Sequence, residues 1–296
     1  MKTIDATVQP LKFIPLSWSL AEEIEAIRKA SGNVQYVYTF ASLFVWKETE
    51  KYEICIGNGA FVVKNGAEGE NAYLFPCGSA KGKKELIDSL IEYETPVFYS
   101  ISDEDKEFLE KEYPDRFSFA ERREDFIYLY DKKAQIELKG KDYKRLRHKV
   151  NQGREAAQEW VYEPIDASNV ERALAINKIW AESLEDKASA DVCAVETALN
   201  NFTRLSMWGF ILKADGEDTA FVAGTFITPE IFDLCFCKVL NKRCGFFAKW
   251  ALYCELPEQV HTVDSEEDLG IEGIRSHKLQ RMPKELRRMW KGSFIK

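Results

Sequence analysis

Asp264-Ser265-Glu266-Glu267-Asp268-Leu269-Gly270-Ile271-Glu272-Gly273-Ile274-Arg275-Ser276-His277-Lys278-Leu279 gathers acids, two glycines and bases into one turn followed by a helix. Ser265 stands where it can cap the helix start, with Asp268 three residues on as its capping-box partner, and acids there suit the helix dipole. Glu267 or Asp268, if it faces a cleft, could also accept a proton from an attacking amine or hold that amine as its ammonium. Arg275 and Lys278 follow on the next turns, placed to pair with these acids or to meet an anionic donor.

Upstream of this stretch the chain reads as alternating elements. Trp208 to Ala214, Thr219 to Ile227 and Ile231 to Val239 have the apolar, β-branched and aromatic content of strands, and Phe246 to Leu256 reads as a helix leading to a strand at Val260 to Val263. Helices are expected before them at Tyr143 to Ala157, Asn169 to Leu184 and Val195 to Leu205. The first half has a helix at Ser19 to Ala30, then a meander at Tyr52 to Ile56, Gly59 to Lys64 and Ala72 to Cys77. A helix at Lys84 to Tyr93, a strand at Val97 to Ile101, a helix at Glu104 to Tyr113 stopped by Pro114, and a strand at Asp125 to Tyr130 follow. The halves share element order without visible sequence identity. That order predicts two sheet-plus-helix domains, residues 1–131 and 132–296, with the boundary near Asp131 to Gly140.

A second segment joins the opening stretch. Phe126-Ile127-Tyr128-Leu129-Tyr130-Asp131 is followed by Leu138-Lys139-Gly140-Lys141-Asp142-Tyr143-Lys144-Arg145-Leu146-Arg147-His148-Lys149-Val150-Asn151. This Gly-Lys…Lys-Arg run, together with the acidic glycine turn, its basic helix and Pro283 beyond it, resembles the C-terminal domain of phosphatidylglycerol lysyltransferases and its stand-alone bacterial relatives. Weaker echoes at Thr39 to Trp46 and Tyr73 to Pro76 spread the resemblance over nearly the whole chain. The sequence departs from that family's pattern at Leu146, His148 and Gln280-Arg281. The resemblance implies an α+β fold of two tandem GNAT-like acyl-CoA N-acyltransferase domains, each a mostly antiparallel mixed sheet flanked by helices. The element order agrees with it.

In GNAT-type folds the strand-loop-helix corresponding to Phe236 to Leu256 holds the donor's diphosphate on backbone N–H groups at the helix start. By that analogy Asn241, Lys242, Arg243 and Gly245 bind the donor, Gly245 letting the backbone approach closely, with Arg275 and Lys278 adding charge. The usual Gln/Arg-x-x-Gly-x-Gly/Ala loop of acetyl-CoA enzymes is incomplete here. Lys238, leaving the meander close by, is placed to stabilise an oxyanion. The catalytic set is therefore Glu267, Asp268 and Lys238, with Lys144, Arg145 and Arg147 as further anion contacts. Gly78-Ser79-Ala80-Lys81-Gly82-Lys83-Lys84 has one residue too few between its glycines, and no Ser or Thr after the lysine, to be a P-loop. It sits at the equivalent place in the first half and could be a vestigial anion site.

A net charge of −8 on 296 residues opposes general nucleic-acid binding, yet the charge is uneven. Lys132 to Arg154 carries nine Lys/Arg against Glu137 and Asp142, and Arg275 to Lys296 eight against Glu285. Two runs of one sign suit either solvated helix faces or the flanks of an anionic ligand. Seven cysteines without a Cys-x-x-Cys pair predict reduced thiols and no metal site, Cys235 and Cys237 acting as small buried side chains. Met1-Lys2-Thr3-Ile4-Asp5 lacks a signal-peptide pattern and no apolar run is long enough to span a bilayer, which predicts a cytoplasmic protein.

The expected function is transfer of an acyl or aminoacyl group from an activated ester or thioester to an amine or hydroxyl, the acceptor being a small or lipid-like molecule. Aminoacyl-tRNA and acyl-CoA both remain open as co-substrate, and no tightly bound cofactor is expected. The alternative is a non-catalytic ligand-binding or regulatory protein on a degenerate tandem GNAT-like fold, which the departures at Leu146, His148 and Arg281 suit. Nothing in the chain specifies an oligomeric state.

Overall fold

Residues 9–183 and 191–296 are described by a computed structural model. The Met1-to-Asp5 segment and Leu184, at the end of one expected helix, lie outside the described residues. From Gln9 to Asp125 the chain forms β1 (Ile14–Pro15), α1 (Ala21–Ala30), α2 (Phe40–Trp46), β2 (Tyr52–Gly57), β3 (Ala60–Asn65), β4 (Ala72–Gly78), α3 (Ala80–Tyr93), β5 (Val97–Ile101), α4 (Asp103–Glu112) and β6 (Phe117–Glu121). Ser102 and Asp105 exchange hydrogen bonds in a capping box that starts α4. Strands β2, β3 and β4 pair antiparallel, whereas β4 and β5 run parallel and touch only from Ala72–Val97 to Leu74–Tyr99.

The glycines between β4 and α3 serve packing. A Cβ on Gly78, at φ +138°, would meet Ala60 Cα at 2.4 Å, and one on Gly82 would meet the Asn58 carbonyl oxygen at 2.6 Å. Ser79 Oγ itself accepts the Gly82 N–H. A close backbone approach and a side-chain cap thus explain the sequence that looked like a vestigial anion loop.

The second unit runs from Phe126 to Arg287. It comprises β7 (Ile127–Asp131), α5 (Lys132–Glu137), α6 (Lys144–Arg154), β8 (Trp160–Pro164), α7 (Val170–Glu182), α8 (Asp191–Asn200), β9 (Trp208–Ala214), β10 (Glu217–Thr228), β11 (Ile231–Val239), α9 (Gly245–Glu255), β12 (Thr262–Asp264), α10 (Glu272–Gln280) and β13 (Glu285–Arg287). Among the described residues its sheet has seven strands in the order β13-β7-β12-β11-β10-β9-β8. Tyr128, Tyr130, Phe210, Leu212, Phe232 and Leu234 of the sheet share one core with Phe247, Leu252 and Tyr253 of α9. Burial of these side chains is the main favourable term holding the layers together.

The structure moves the expected boundary at Asp131 in both directions. Residues 127–131 form β7, which sits between β12 and β13, so this strand belongs to the second unit. Beyond Arg287 the chain forms β14 (Trp290–Phe294), which inserts antiparallel between β5 and β6 and completes a first sheet ordered β1-β2-β3-β4-β5-β14-β6. The physical reason is pairing: residues 127–130 are buried and need ladder partners on both sides, and only β12 and β13 supply them.

All seven cysteines are free. No helix among the described residues is long and apolar enough to cross a membrane.

Candidate active site at the splayed strands

Strands β11 and β12 run parallel and pair at Ile231–Thr262, Phe232–Val263 and Asp233–Asp264. There β12 ends, while β11 continues to Val239. Opposite the splay, β11 carries a bulge: Thr225 faces Asp233 but Ala223 faces Phe236, leaving an extra residue at Leu234-Cys235 against Gly224. Gly224 is obligatory, because a Cβ there would lie 1.8 Å from the Asp233 carbonyl oxygen. The bulge re-aims the strand. Phe232 and Leu234 join the core beneath α9, and past the bulge Cys237 and Val239 pack on that core while Lys238 lies over Trp180 of α7.

Three carboxyls meet at the crotch of the splay. Asp233 is fully buried, Asp264 is 1% exposed, and Glu266 follows on the loop. The Glu266 N–H donates to Asp264 Oδ1 at 2.8 Å, and Cys235 Sγ lies 3.2 Å from Asp233 Oδ2. Burial, and then the charge of its neighbour Asp264, pushes the Asp233 carboxyl well above its ordinary pKa. Burial pushes Asp264 up to about 7. Burial followed by Asp233 and Glu267 raises Glu266 as well. Burial and like charge raise the proton affinity of these carboxyls, which strengthens an ionised member of the set as a base. Glu266 also adopts φ +56°, a left-handed backbone that costs a non-glycine residue about 1 kcal/mol. One ligand atom each from Asp233, Cys235 and Glu266 falls within 4.8 Å of the others, so these are the residues that could hold a metal. Burial and Asp233 keep the Cys235 thiol protonated.

Asp268 has the opposite surroundings. It is fully buried and bound by Arg275 Nε and Nη2 at 2.9 and 2.8 Å, by the Tyr128 hydroxyl at 2.6 Å and by the Gly270 N–H at 2.9 Å. Burial alone would raise its pKa, but these donors hold it well below the usual carboxylate range. Both of its carboxylate oxygens are thus engaged within the turn. The expected capping box does not form: α10 starts at Glu272 with Ile271 at its N-cap, and the Ser265 N–H instead donates to Tyr128 O. Lys278 is buried and donates to the Ser265 and Glu267 carbonyl oxygens, tying α10 to the acidic turn.

The remaining sequence candidates divide. Lys238 is 4% exposed, with its ammonium 3.7 Å from the centre of the Trp180 ring and paired to Asp191, so it is sealed against α7 and α8 instead of standing open as an oxyanion donor. Asn241 Oδ1 accepts the Arg243 N–H at 3.1 Å, capping the short turn before α9, and Lys242 and Arg243 are exposed there. Gly245 has ordinary helical φ, and a Cβ would meet only Val239 Cγ2 at 3.8 Å, so the fold itself does not require this glycine. Lys144, Arg145 and Arg275 line a cleft of ≈ 930 Å³ between α6 and α10, with Lys141 and His148 beside them. The two basic runs thus meet across one groove. Arg147 turns away to donate to the Leu138 and Gly140 carbonyl oxygens. Asp233, Asp264 and Glu266 were not singled out from sequence. The available signal was an acid inside the apolar strand Ile231-Phe232-Asp233-Leu234.

With this geometry in view, the sequence model of the family described as "Phosphatidylglycerol lysyltransferase, C-terminal" matches residues 28–231. The chain belongs to this family. The family match ends before the acidic turn, and solved structures resemble the chain over a larger share of its length. A conserved protein of unknown function from Bacteroides thetaiotaomicron shares 24% identity, covering 96% of this chain and 100% of its own, with a TM-score of 0.87. The structure titled L-PGS from Bacillus licheniformis shares 13% identity over 92% of this chain and 91% of its own, at TM-score 0.66. FemX shares 10% over 97% and 98%, at 0.61. A search of curated proteins found no match. The family and these likenesses agree with the splayed parallel pair in each sheet: the fold is α+β, two tandem GNAT-like domains, an acyl- and aminoacyl-transferase fold.

Proposed function

We propose that the protein transfers an acyl or aminoacyl group from an activated ester or thioester to an amine or hydroxyl, at the mouth where β11 leaves β12. The observation that carries this reading is the set of buried carboxyls at that mouth, with Glu266 the partly exposed member. Glu266 takes the proton from the acceptor as its nitrogen or oxygen bonds to the donor's carbonyl carbon. The bond to the donor's leaving oxygen or sulfur then breaks, and that atom receives the proton. Asp268, Arg275 and Tyr128 hold the turn that presents Glu266, and the basic cleft between α6 and α10 draws in an anionic donor. Enforced proximity supplies most of the rest.

Of the two donor classes, aminoacyl-tRNA has the better support. Gly153 of α6 packs directly on the start of α9, where a Cβ would lie 2.6 Å from Phe247 Cβ and 3.0 Å from the Arg243 carbonyl oxygen, so the turn where a CoA diphosphate is expected is partly covered. The test offers aminoacyl-tRNAs and acyl-CoAs with amine and hydroxyl acceptors and follows donor cleavage with product formation. Turnover of an aminoacyl ester, lowered on the order of 100-fold or more by Glu266→Gln, is expected. Glu266→Gly should fold at least as stably as the parent, because glycine relaxes the left-handed backbone, and still lose transfer. Full activity in Glu266→Gln removes Glu266 from the chemistry. Cleavage of acyl-CoA alone reverses the donor assignment.

A further inference from the structure

Asp233, Cys235 and Glu266 converge at the crotch of the splay, and only Glu266 has a part in the steps above. Asp233 alternates with Phe232 and Leu234, which pack beneath α9, so its side chain leaves the sheet by the other face. It is fully buried, and its Oδ1 has no hydrogen-bond partner among the described residues. Its Oδ2 lies 3.2 Å from Cys235 Sγ, and one ligand atom from each of the three residues falls within 4.8 Å of the others. Thr225, the cross-strand partner of Asp233, shares that face. It is 5% exposed, and its hydroxyl is turned to the Cys235 sulfur.

Buried carboxyls are normally met by a cation or by hydrogen-bond donors. Neither Asp233, Asp264 nor Glu266 makes an ion pair among the described residues. Lys278, whose charge reaches all three, donates its protons to the Ser265 and Glu267 carbonyl oxygens instead. Protons can neutralise such a set but leave Asp233 Oδ1 unmet, whereas a divalent ion offsets the charge and gives that oxygen a partner.

The donor set is also selective. Ligand atoms on a tetrahedral zinc, with bonds of about 2.0 Å to oxygen and about 2.3 Å to sulfur, stand about 3.5 Å apart. The Asp233–Cys235 pair is already near that spacing, and Glu266, on the loop after β12, has to close by about 1 Å. Cys235 and Glu266 are partly exposed, which gives an ion a way in and leaves a fourth position for water. A hydrogen bond from the Thr225 hydroxyl favours the thiolate that a metal needs. Thiolate beside carboxylates suits zinc better than magnesium or calcium. Cysteine spacing does not announce this set, because the bulge in β11 and its parallel register with β12 assemble it.

We infer that Asp233, Cys235 and Glu266 form a binding site for a thiophilic divalent cation, zinc by its chemistry. Each residue gives the ion one lone pair, and the protons it held leave to water. The inference stands apart from the transfer reading: Glu266 is shared, but no turnover enters the test.

The experiment titrates the full chain, stripped by a chelator and kept reduced by a phosphine, with Co2+ and then Zn2+. Cobalt should raise a thiolate-to-metal charge-transfer band in the near ultraviolet, and one equivalent of Zn2+ should bleach it while millimolar Mg2+ does not. Cys235→Ser should abolish the band. Glu266→Gln should weaken Zn2+ by at least about tenfold in competition with a chromophoric chelator, which keeps the test open if Cys235→Ser misfolds. Cys193→Ser removes an exposed thiol outside the set and should change neither readout. No band overturns the inference, as does a band that persists in Cys235→Ser or is lost in Cys193→Ser. Equal Zn2+ affinity in the parent and Glu266→Gln overturns it too.

Discussion

Asp268 and Glu266 are two positions apart in one turn, yet one is held ionised by three neighbours and the other has its proton affinity raised by burial and by Asp233. Removing Arg275 leaves a buried, under-compensated carboxylate, so Arg275→Ala should cost about 3 kcal/mol in urea unfolding, with Arg275→Lys recovering part of it. Asp264 behaves in the opposite sense. Its folded pKa of about 7 lies above the unfolded value, so the folded state holds more protons than the unfolded chain across that interval. Stability from this group is therefore full below about pH 4 and falls as pH rises through 7. Asp264→Asn keeps an oxygen for the Glu266 N–H and should raise the melting temperature at pH 8 by at least about 2 °C, with little gain at pH 4. An equal gain at both pH values would remove Asp264 from the titrating set. From sequence, the acids of 264–268 were visible as a group but not sorted. What sorts them is a tyrosine hydroxyl 140 positions away and the parallel register that sets Asp233 beside Asp264.

At the scale of elements, the site is made by one bulge and one early strand end, and two glycines separate architecture from ligand. Gly224→Ala forces a Cβ into the Asp233 carbonyl and should abolish soluble expression or cost more than about 3 kcal/mol. Gly245→Ala meets only open van der Waals space, so unfolding free energy should change by less than about 1 kcal/mol. If its donor affinity still falls, a ligand, rather than the fold, occupies the space beside that glycine. The meander β9-β10-β11 and helices α3, α4 and α9 were legible because turns bound their strands and apolar residues recur along the helices. Helix α2 was not, since Phe40-Ala41-Ser42-Leu43-Phe44-Val45-Trp46 is apolar nearly throughout and has no helical stripe. The short strands β6, β8 and β13 lack any local signal and exist only through their partners, which no window of sequence contains.

For the molecule as a whole, the strand that completes the first sheet is supplied from the far end of the chain. Trp290 and Phe294 of β14 pack in the core of that unit, and Trp290 Nε1 donates to Asp103 Oδ1 at 2.8 Å. Deleting Arg288–Lys296 should leave β5 and β6 without their shared partner, so their amides should exchange quickly by hydrogen-exchange mass spectrometry while β9 to β11 stay protected. Uniform protection after the deletion would mean that the first unit does not depend on β14. The same arrangement governs biosynthesis. Domains usually fold as they emerge from the ribosome, N-terminal first, but here residues 9–121 leave the exit tunnel with a gap between two of their strands. That gap stays open while more than 160 further residues are translated. The nascent first unit thus waits with unpaired strand edges on β5 and β6, and for that interval those edges are templates for pairing with another chain.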